Sequence, residues 1–173
     1  MRWYRPLFEG LLLFAAVFLQ VGVLARLNLP GATPDLVLVY VAALAMLRGP
    51  LVGSIAGFSA GLLLDLVPPS TGTLGITALL LLVVGYGAGR FGGDEHAIIR
   101  PLMVITVSSG FFVLAYGLIS GLLDRRAFVW DTLPLIAGTE ILYCLILATF
   151  VVPGMTWLEK KMISLQSRGF RDI

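Results

Sequence analysis

Charged residues are scarce in this chain, and their scarcity excludes an ordinary soluble domain. Asp, Glu, Lys and Arg together make up 13% of the 173 residues, whereas hydrophobic residues make up 58% and the mean hydropathy is +0.98. A typical soluble protein has about 25% charged residues, which it needs to cover its surface. The composition therefore predicts an integral membrane protein.

Cysteine and histidine are almost absent, with one residue of each. The single Cys144 has no partner in the chain for a disulfide. His96 lies beside Asp94 and Glu95, but one histidine in a polar loop is more typical of a solvated surface than of a metal site. The net charge of +2 is small. We therefore expect no metal, no cofactor and no nucleic acid partner.

Long apolar runs fill most of the sequence. A transmembrane helix needs roughly 20 apolar residues to cross the hydrocarbon core. We predict an all-α bundle that forms one transmembrane domain over residues 1–173, with a short basic cytoplasmic tail at 157–173. Its helices are expected at residues 7–25, 34–47, 51–67, 74–91, 101–123 and 133–152. The first run is too long for a signal peptide and lacks a cleavage site, so we expect an uncleaved span.

Local signals predict two helix boundaries. Thr33 is expected to be the N-cap of the second helix, with Pro34 in its first turn and Asp35 beside the positive end of its dipole. Pro153 and Gly154 predict the end of the sixth helix. The second helix is short for a span, so we expect neighbours to shield it or the bilayer to thin around it.

The positive charges predict the orientation of the chain. With the N-terminus inside, nine of the twelve Lys and Arg residues lie on the inner side, and only Arg26, Arg125 and Arg126 lie outside. This bias predicts a multi-pass protein of the bacterial cytoplasmic membrane with both termini in the cytoplasm. The loop at 124–131 also holds Phe128 and Trp130, which fit either an interfacial aromatic belt or a protein-docking loop.

One motif points to catalysis but lacks its context. Residues 57–61 match G-x-S-x-G, in which a strand-to-helix turn presents a nucleophilic serine to a histidine base. Here Ser59 is predicted to lie in the middle of a helix, and His96 lies beyond the end of the next helix. We therefore expect no catalytic residue and no enzyme activity.

Glycines are spaced for helix packing. Gly53, Gly57 and Gly61 follow at i, i+4 and i+8 on the third helix, and Gly85 and Gly89 repeat this spacing on the fourth. A helix face without side chains lets another backbone approach closely. These glycines are candidates either for packing within the bundle or for binding a partner protein.

Three carboxylates lie within the apolar runs, and each needs a physical explanation. Asp65, near the outer end of the third helix, is expected either to pair with Arg26 or to contact a ligand or partner. Glu140 lies about 10 Å into the sixth helix, where we expect a buried carboxylate hydrogen-bonded inside the bundle. A transport relay needs several such groups in file, whereas this chain has only Glu9 besides these two.

Several motifs together resemble the bacterial rod shape-determining protein MreD family. The resemblance covers roughly residues 30–91 and consists of Pro34-Asp35, Arg48-Gly49, Gly57-Phe58, Gly61-Leu62-Leu63-Leu64-Asp65, Pro68-Pro69, Gly72-Thr73-Leu74-Gly75, Gly85-Tyr86 and Gly89-Arg90. Beyond Arg90 only the hydropathy is similar. The resemblance implies a non-enzymatic assembly factor of the cell-elongation machinery. Such a factor binds the scaffold protein MreC, and through it supports a peptidoglycan polymerase, a transpeptidase and the actin-like filament.

The same resemblance implies a fold like that of the substrate-binding subunits of energy-coupling-factor vitamin transporters. Such a subunit is therefore the alternative function. Those subunits commonly dock through an Ala-x-x-x-Ala face on the first helix, but here Ala15 is followed four positions later by Leu19, and Ala16 by Gln20. The missing face favours the scaffold.

Overall fold

The computed structural model describes residues 4–27, 31–67, 74–92, 99–123 and 133–168. These residues form α-helices and one short 3₁₀ helix, with no strand among them. The α-helices are α1 (Tyr4–Gly22), α2 (Leu36–Arg48), α3 (Pro50–Leu66), α4 (Ile76–Arg90), α5 (Ile99–Leu123) and α6 (Leu133–Arg168), and the 3₁₀ helix is Leu24–Arg26. The six predicted apolar runs thus correspond to six α-helices of the described chain.

Three stretches of these helices are both long and apolar enough to cross a membrane. They are Leu7–Arg26, Ile99–Ile119 and Pro134–Lys161, whereas α2, α3 and α4 are apolar but shorter. Large hydrophobic side chains are exposed along the outside of the bundle, among them Leu11, Leu51, Val107 and Phe150. An apolar exterior of this kind fits a lipid environment, and the chain is a membrane protein by its helices and its composition.

The short helix α2 lies at the centre of the bundle. It contacts each of the other five α-helices, and every residue from Val37 to Ala45 is buried. A helix that is apolar on all sides is expected in such a position. With 13 residues, α2 is about 20 Å long, and its neighbours shield most of its surface.

The predicted glycine faces meet each other between α3 and α4. A Cβ added at Gly53 would overlap the backbone of Gly85, and one added at Gly85 would overlap Gly53. In the same way Gly57 lies against the backbone of Leu81, Gly61 against Ala78 and Gly89 against Pro50. These glycines therefore lie inside the bundle, where they bring the two helix backbones into direct contact.

The α-helices alternate in direction, so that the bundle has two distinct ends. One end, named here the Arg48 end, holds Glu9, Arg48 and Glu159. The opposite Asp35 end holds the start of α2, with Gln20 of α1 and Thr139 of α6 beside it. The start of α1 and the later part of α6 therefore lie at the same end of the bundle.

The predicted N-cap of α2 is wrong by two residues. Asp35 is the N-cap, and its carboxylate accepts a hydrogen bond of 2.9 Å from the backbone N–H of Leu38. Thr33 lies two residues before Asp35, and its side chain is exposed. Asp35 takes the role because its side chain reaches the third N–H of the helix, which is the usual geometry of an N-cap.

The sixth helix does not end at Pro153, in contrast to the prediction. Proline lacks the N–H that would bond to the carbonyl four residues earlier, so a helix commonly breaks there. Here α6 continues through Pro153 to Arg168. Met155 packs against the core and Glu159 pairs with Arg48, and these contacts hold the continuation in place. Residues 157–168 of the predicted tail are therefore part of α6.

Candidate functional site

The helices around α2 leave one opening. Contacts join α1 to α3, α3 to α4, α4 to α5 and α5 to α6. In the described residues, no Cα of α1 lies within 8 Å of a Cα of α6. The gap between α1 and α6, with α2 behind it, is called here the seam. It is the candidate site because two groups of buried polar side chains of the described residues lie at its two ends.

At the Arg48 end, side chains alone bridge the seam. The Arg48 guanidinium pairs with Glu9 of α1, and its Nε lies 2.8 Å from Oε1 of Glu159 on α6. All three side chains are about four-fifths buried. Gly49 has a φ of +92°, a conformation that suits glycine, and it lets α3 begin directly after Arg48. This Arg48 cluster ties α1, α2 and α6 together at one level.

A small pocket opens beside the Arg48 cluster. Its apolar walls come from three helices: Phe8 and Leu12 of α1, Leu44 and Leu47 of α2, and Met155 and Leu158 of α6. Deeper in the seam, the Tyr40 hydroxyl donates a hydrogen bond of 3.1 Å to the backbone carbonyl of Glu9. The seam is thus apolar along its walls and polar where the helices must be held at a fixed spacing.

At the Asp35 end, side chains satisfy the first backbone donors of α2. Oε1 of Gln20 accepts a hydrogen bond of 2.7 Å from the N–H of Val37, and the Asp35 carboxylate accepts from Leu38. The Gln20 side chain also hydrogen-bonds the Asp35 carboxyl group. Free N–H groups at a helix start are costly where no water reaches them. Gln20 and Asp35 therefore make a buried helix start stable.

Glu140 approaches this helix start from α6. It is 9% exposed, and its carboxyl group lies within electrostatic range of Asp35. Among the described residues, none hydrogen-bonds the Glu140 carboxyl group, so the predicted hydrogen bond inside the bundle is not observed there. At the preceding residue of α6, the Thr139 hydroxyl accepts a hydrogen bond of 3.1 Å from the backbone N–H of Ala32. Gln20, Asp35 and Glu140 are called here the Asp35 cluster.

Asp65 binds the start of the next helix. Its Oδ2 accepts a hydrogen bond of 2.8 Å from the N–H of Gly75 and one of 3.4 Å from the N–H of Ala78. The carboxylate therefore complements the positive end of the α4 dipole. The described residues show no ion pair between Asp65 and Arg26, in contrast to the prediction. Arg26 lies exposed in the 3₁₀ helix.

Ser59 has a local structural contact. Its Oγ donates a hydrogen bond of 2.8 Å to the carbonyl of Ile55, one turn earlier in α3. In the described part of the chain, no three His, Cys, Asp or Glu side chains are grouped as metal ligands. The residues Asp94, Glu95, His96, Arg125, Arg126, Phe128 and Trp130 lie outside the described residues.

Neither the Arg48 cluster nor the Asp35 cluster was predicted as a group, although Glu140 was predicted as a buried carboxylate. A signal for the first was present, because the alternating helices place Glu9 near the start of α1 at the same level as Arg48 at the end of α2. Glu159 was hidden by the assumption that the sixth helix ends at Pro153. For the second, Asp35 was expected beside the start of α2, but Gln20 carries no signal of its own.

A comparison with protein-family models identifies one family. The model for the rod shape-determining protein MreD matches residues 1–162. The match extends well beyond residues 30–91, where the sequence motifs lie, and it includes every residue of both clusters. A search of curated proteins and a search of solved structures found no match. The likeness to the substrate-binding subunits of vitamin transporters therefore stays a prediction, and the family match does not support that alternative function. The chain belongs to the family of rod shape-determining protein MreD and takes part in determining rod shape.

Proposed function

We propose that this chain is a non-enzymatic scaffold of the bacterial cell-elongation machinery, and that it binds the scaffold protein MreC. Through MreC it supports a peptidoglycan polymerase, a transpeptidase and the actin-like filament. The observation that carries the proposal is the family match, which spans residues 1–162 and so includes almost the whole bundle. A shape-determining protein without its own chemistry acts by holding other proteins together.

The contacts of the conspicuous polar groups support a structural role. Ser59 bonds to its own helix, Asp65 binds the start of α4, and Arg48 joins two glutamates across the seam. Each of these side chains stabilises helix positions. A bundle of fixed shape with an apolar exterior is suited to presenting one helix face to another membrane protein.

The distribution of charge supports a cytoplasmic location for the Arg48 end. Arg48 and Arg90 end α2 and α4 on this side of the bundle, and Lys160 and Lys161 follow Glu159 in α6, whereas Arg26 lies at the Asp35 end. Translocation of Lys and Arg close to a span is disfavoured. We therefore place the chain in the cytoplasmic membrane as a multi-pass protein, with both termini in the cytoplasm.

Purification in a mild detergent tests the proposal. A tagged chain expressed in its native host should recover MreC together with wall-synthesis enzymes, and an unrelated multi-pass protein with the same tag should not. Recovery of a transporter ATPase module or a bound vitamin, with no MreC, would instead establish the transporter alternative. Recovery of neither set of proteins from intact, monodisperse material would contradict the scaffold proposal.

A further inference from the structure

The seam is the one interruption in the set of contacts between neighbouring helices around α2 in the described chain. The other neighbours are joined by helix packing, whereas only the Arg48 cluster crosses from α1 to α6 at the Arg48 end. The α1 wall presents Phe8 and Leu12, and the α6 wall presents Leu158. A surface between two helices with apolar residues on both sides is one against which another amphipathic or apolar helix can pack.

The charges along the seam are unequal. Glu9, Arg48 and Glu159 form one cluster, and Asp35 and Glu140 lie at the other end. The seam therefore has four acidic side chains and one basic side chain. Since Arg48 is already shared between two glutamates, none of its charge is available to the Asp35 cluster. A partner whose charge complements the seam therefore carries a positively charged group near the Asp35 end.

Glu140 is the group that most needs such a complement. It is 9% exposed, it faces the like charge of Asp35, and no described residue hydrogen-bonds its carboxyl group. Two carboxyl groups close together inside a membrane-spanning bundle are costly unless a cation or a hydrogen-bond donor accompanies them. Asp35 differs, because it is occupied by the N–H of Leu38 and by Gln20. The position of Glu140 thus points to a donor supplied by another molecule.

We propose that the seam receives the transmembrane helix of the protein partner, and that a Lys or Arg side chain of this helix binds Glu140. The inference rests on the proposed function, in which that partner is MreC, and adds the location and the chemistry of the contact. The apolar walls of α1 and α6 pack along the partner helix. Its basic side chain reaches the Asp35 cluster, where the surrounding bundle excludes water and strengthens the pair.

Photo-crosslinking in native membranes tests the location. A photoreactive amino acid at Phe8 or Leu158 should give a crosslink to MreC, because both positions line the seam. The control positions are Leu79 and Val83, which are exposed on α4, the helix on the far side of the bundle. Crosslinks from the two α4 positions, without crosslinks from the seam, would overturn the inference and leave the proposed function intact.

Substitution of Glu140 tests the chemistry. Glu140→Gln should lower the recovery of MreC about tenfold or more, as expected when one member of a buried charge pair is removed, and Glu140→Lys should abolish it. Both variants must first show wild-type protein levels and the same detergent elution volume. If either variant is unstable, a Lys or Arg in the partner helix is changed to Gln instead, with this chain left intact.

The outcomes separate the two proposals. Seam crosslinks with an undiminished recovery for Glu140→Gln would refute the charge pair. Failure of the unaltered chain to recover MreC at all would refute the proposed function, and the inference with it. A crosslink from the seam to phospholipid, with MreC crosslinked elsewhere, would show that lipid fills the seam and would also overturn the inference.

Discussion

Nε of Arg48 lies 2.8 Å from Oε1 of Glu159, and this pair joins the last residue of α2 to a part of α6 beyond Pro153. The same guanidinium also pairs with Glu9 of α1. One side chain therefore fixes three helices at one end of the bundle.

Replacement of Arg48 should destabilise the bundle. Arg48→Gln leaves Glu9 and Glu159 largely buried without their cation, and we expect a loss of about 1–3 kcal/mol in the free energy of unfolding. Thermal denaturation in detergent measures this loss. Arg90→Gln is the matched control, because Arg90 is exposed and its guanidinium interacts with Tyr86 of its own helix. Equal melting temperatures of the two variants would contradict the role of Arg48.

A methyl group at Gly57 should separate α3 from α4. The added Cβ of Gly57→Ala overlaps the backbone carbonyl of Leu81, and overpacking of this kind costs about 1–3 kcal/mol. Gly87→Ala provides the control, since a Cβ there meets no atom within 4 Å and improves the helix propensity of α4. Protein levels and melting temperatures should fall for the first variant and hold or rise for the second.

Asp65 should tolerate Asn better than Ala. Asparagine keeps an acceptor oxygen for the N–H groups of Gly75 and Ala78, and Asn and Asp are comparable as caps. We expect Asp65→Ala to cost about 1 kcal/mol, the usual value for loss of a cap, and Asp65→Asn to cost less. Melting temperatures and complementation of cell shape measure both. An equal loss for the two variants would contradict the capping role.

The effects of Asp65 and Arg26 should be independent. The structure gives no ion pair between these two described residues, and substitutions at sites without a shared contact usually add. The stability change of the double variant Asp65→Ala, Arg26→Gln should therefore equal the sum of the two single changes. A double variant no less stable than Asp65→Ala alone would restore the predicted pair.

Fusions to a topology reporter should follow the alternation of the helices. A reporter placed after Gly92 or after Arg168 should report the cytoplasm, because both positions follow helices that end at the Arg48 end. Reporters at Pro69 and Ala127 should report the outer side. An outer signal at Arg168 would show that the number of crossings is not even.

The helix number was predictable from the sequence, whereas the partners of its polar residues were not. Each α-helix is an apolar run between proline, glycine or charged residues, so the runs could be counted directly. Membrane depth alone placed Asp65 near Arg26. Membrane depth does not say which helices lie side by side. It also does not reveal the free N–H groups at the start of α4, which are the groups that Asp65 binds.

The difference between backbone geometry and side-chain contacts also explains why the glycine contact was predictable and the clusters at the seam were not. Glycine spacing identified the contact between α3 and α4 because glycines act through the backbone, whose geometry follows from the helix itself. The Arg48 cluster depends on three side chains from distant parts of the chain, and on a helix that continues through a proline. Only the tertiary structure brings these groups together.

The burial of α2 has a consequence for how the protein is made. At about 20 Å, this helix falls short of a hydrocarbon core about 30 Å thick, so lipid alone does not match it. Most of the surfaces that cover it belong to α3, α4, α5 and α6, which the ribosome synthesises later. In the proposed topology, α2 therefore enters the membrane before the helices that cover it have been synthesised. We therefore expect α2 to be covered by α1 alone until the following hairpin of α3 and α4 arrives.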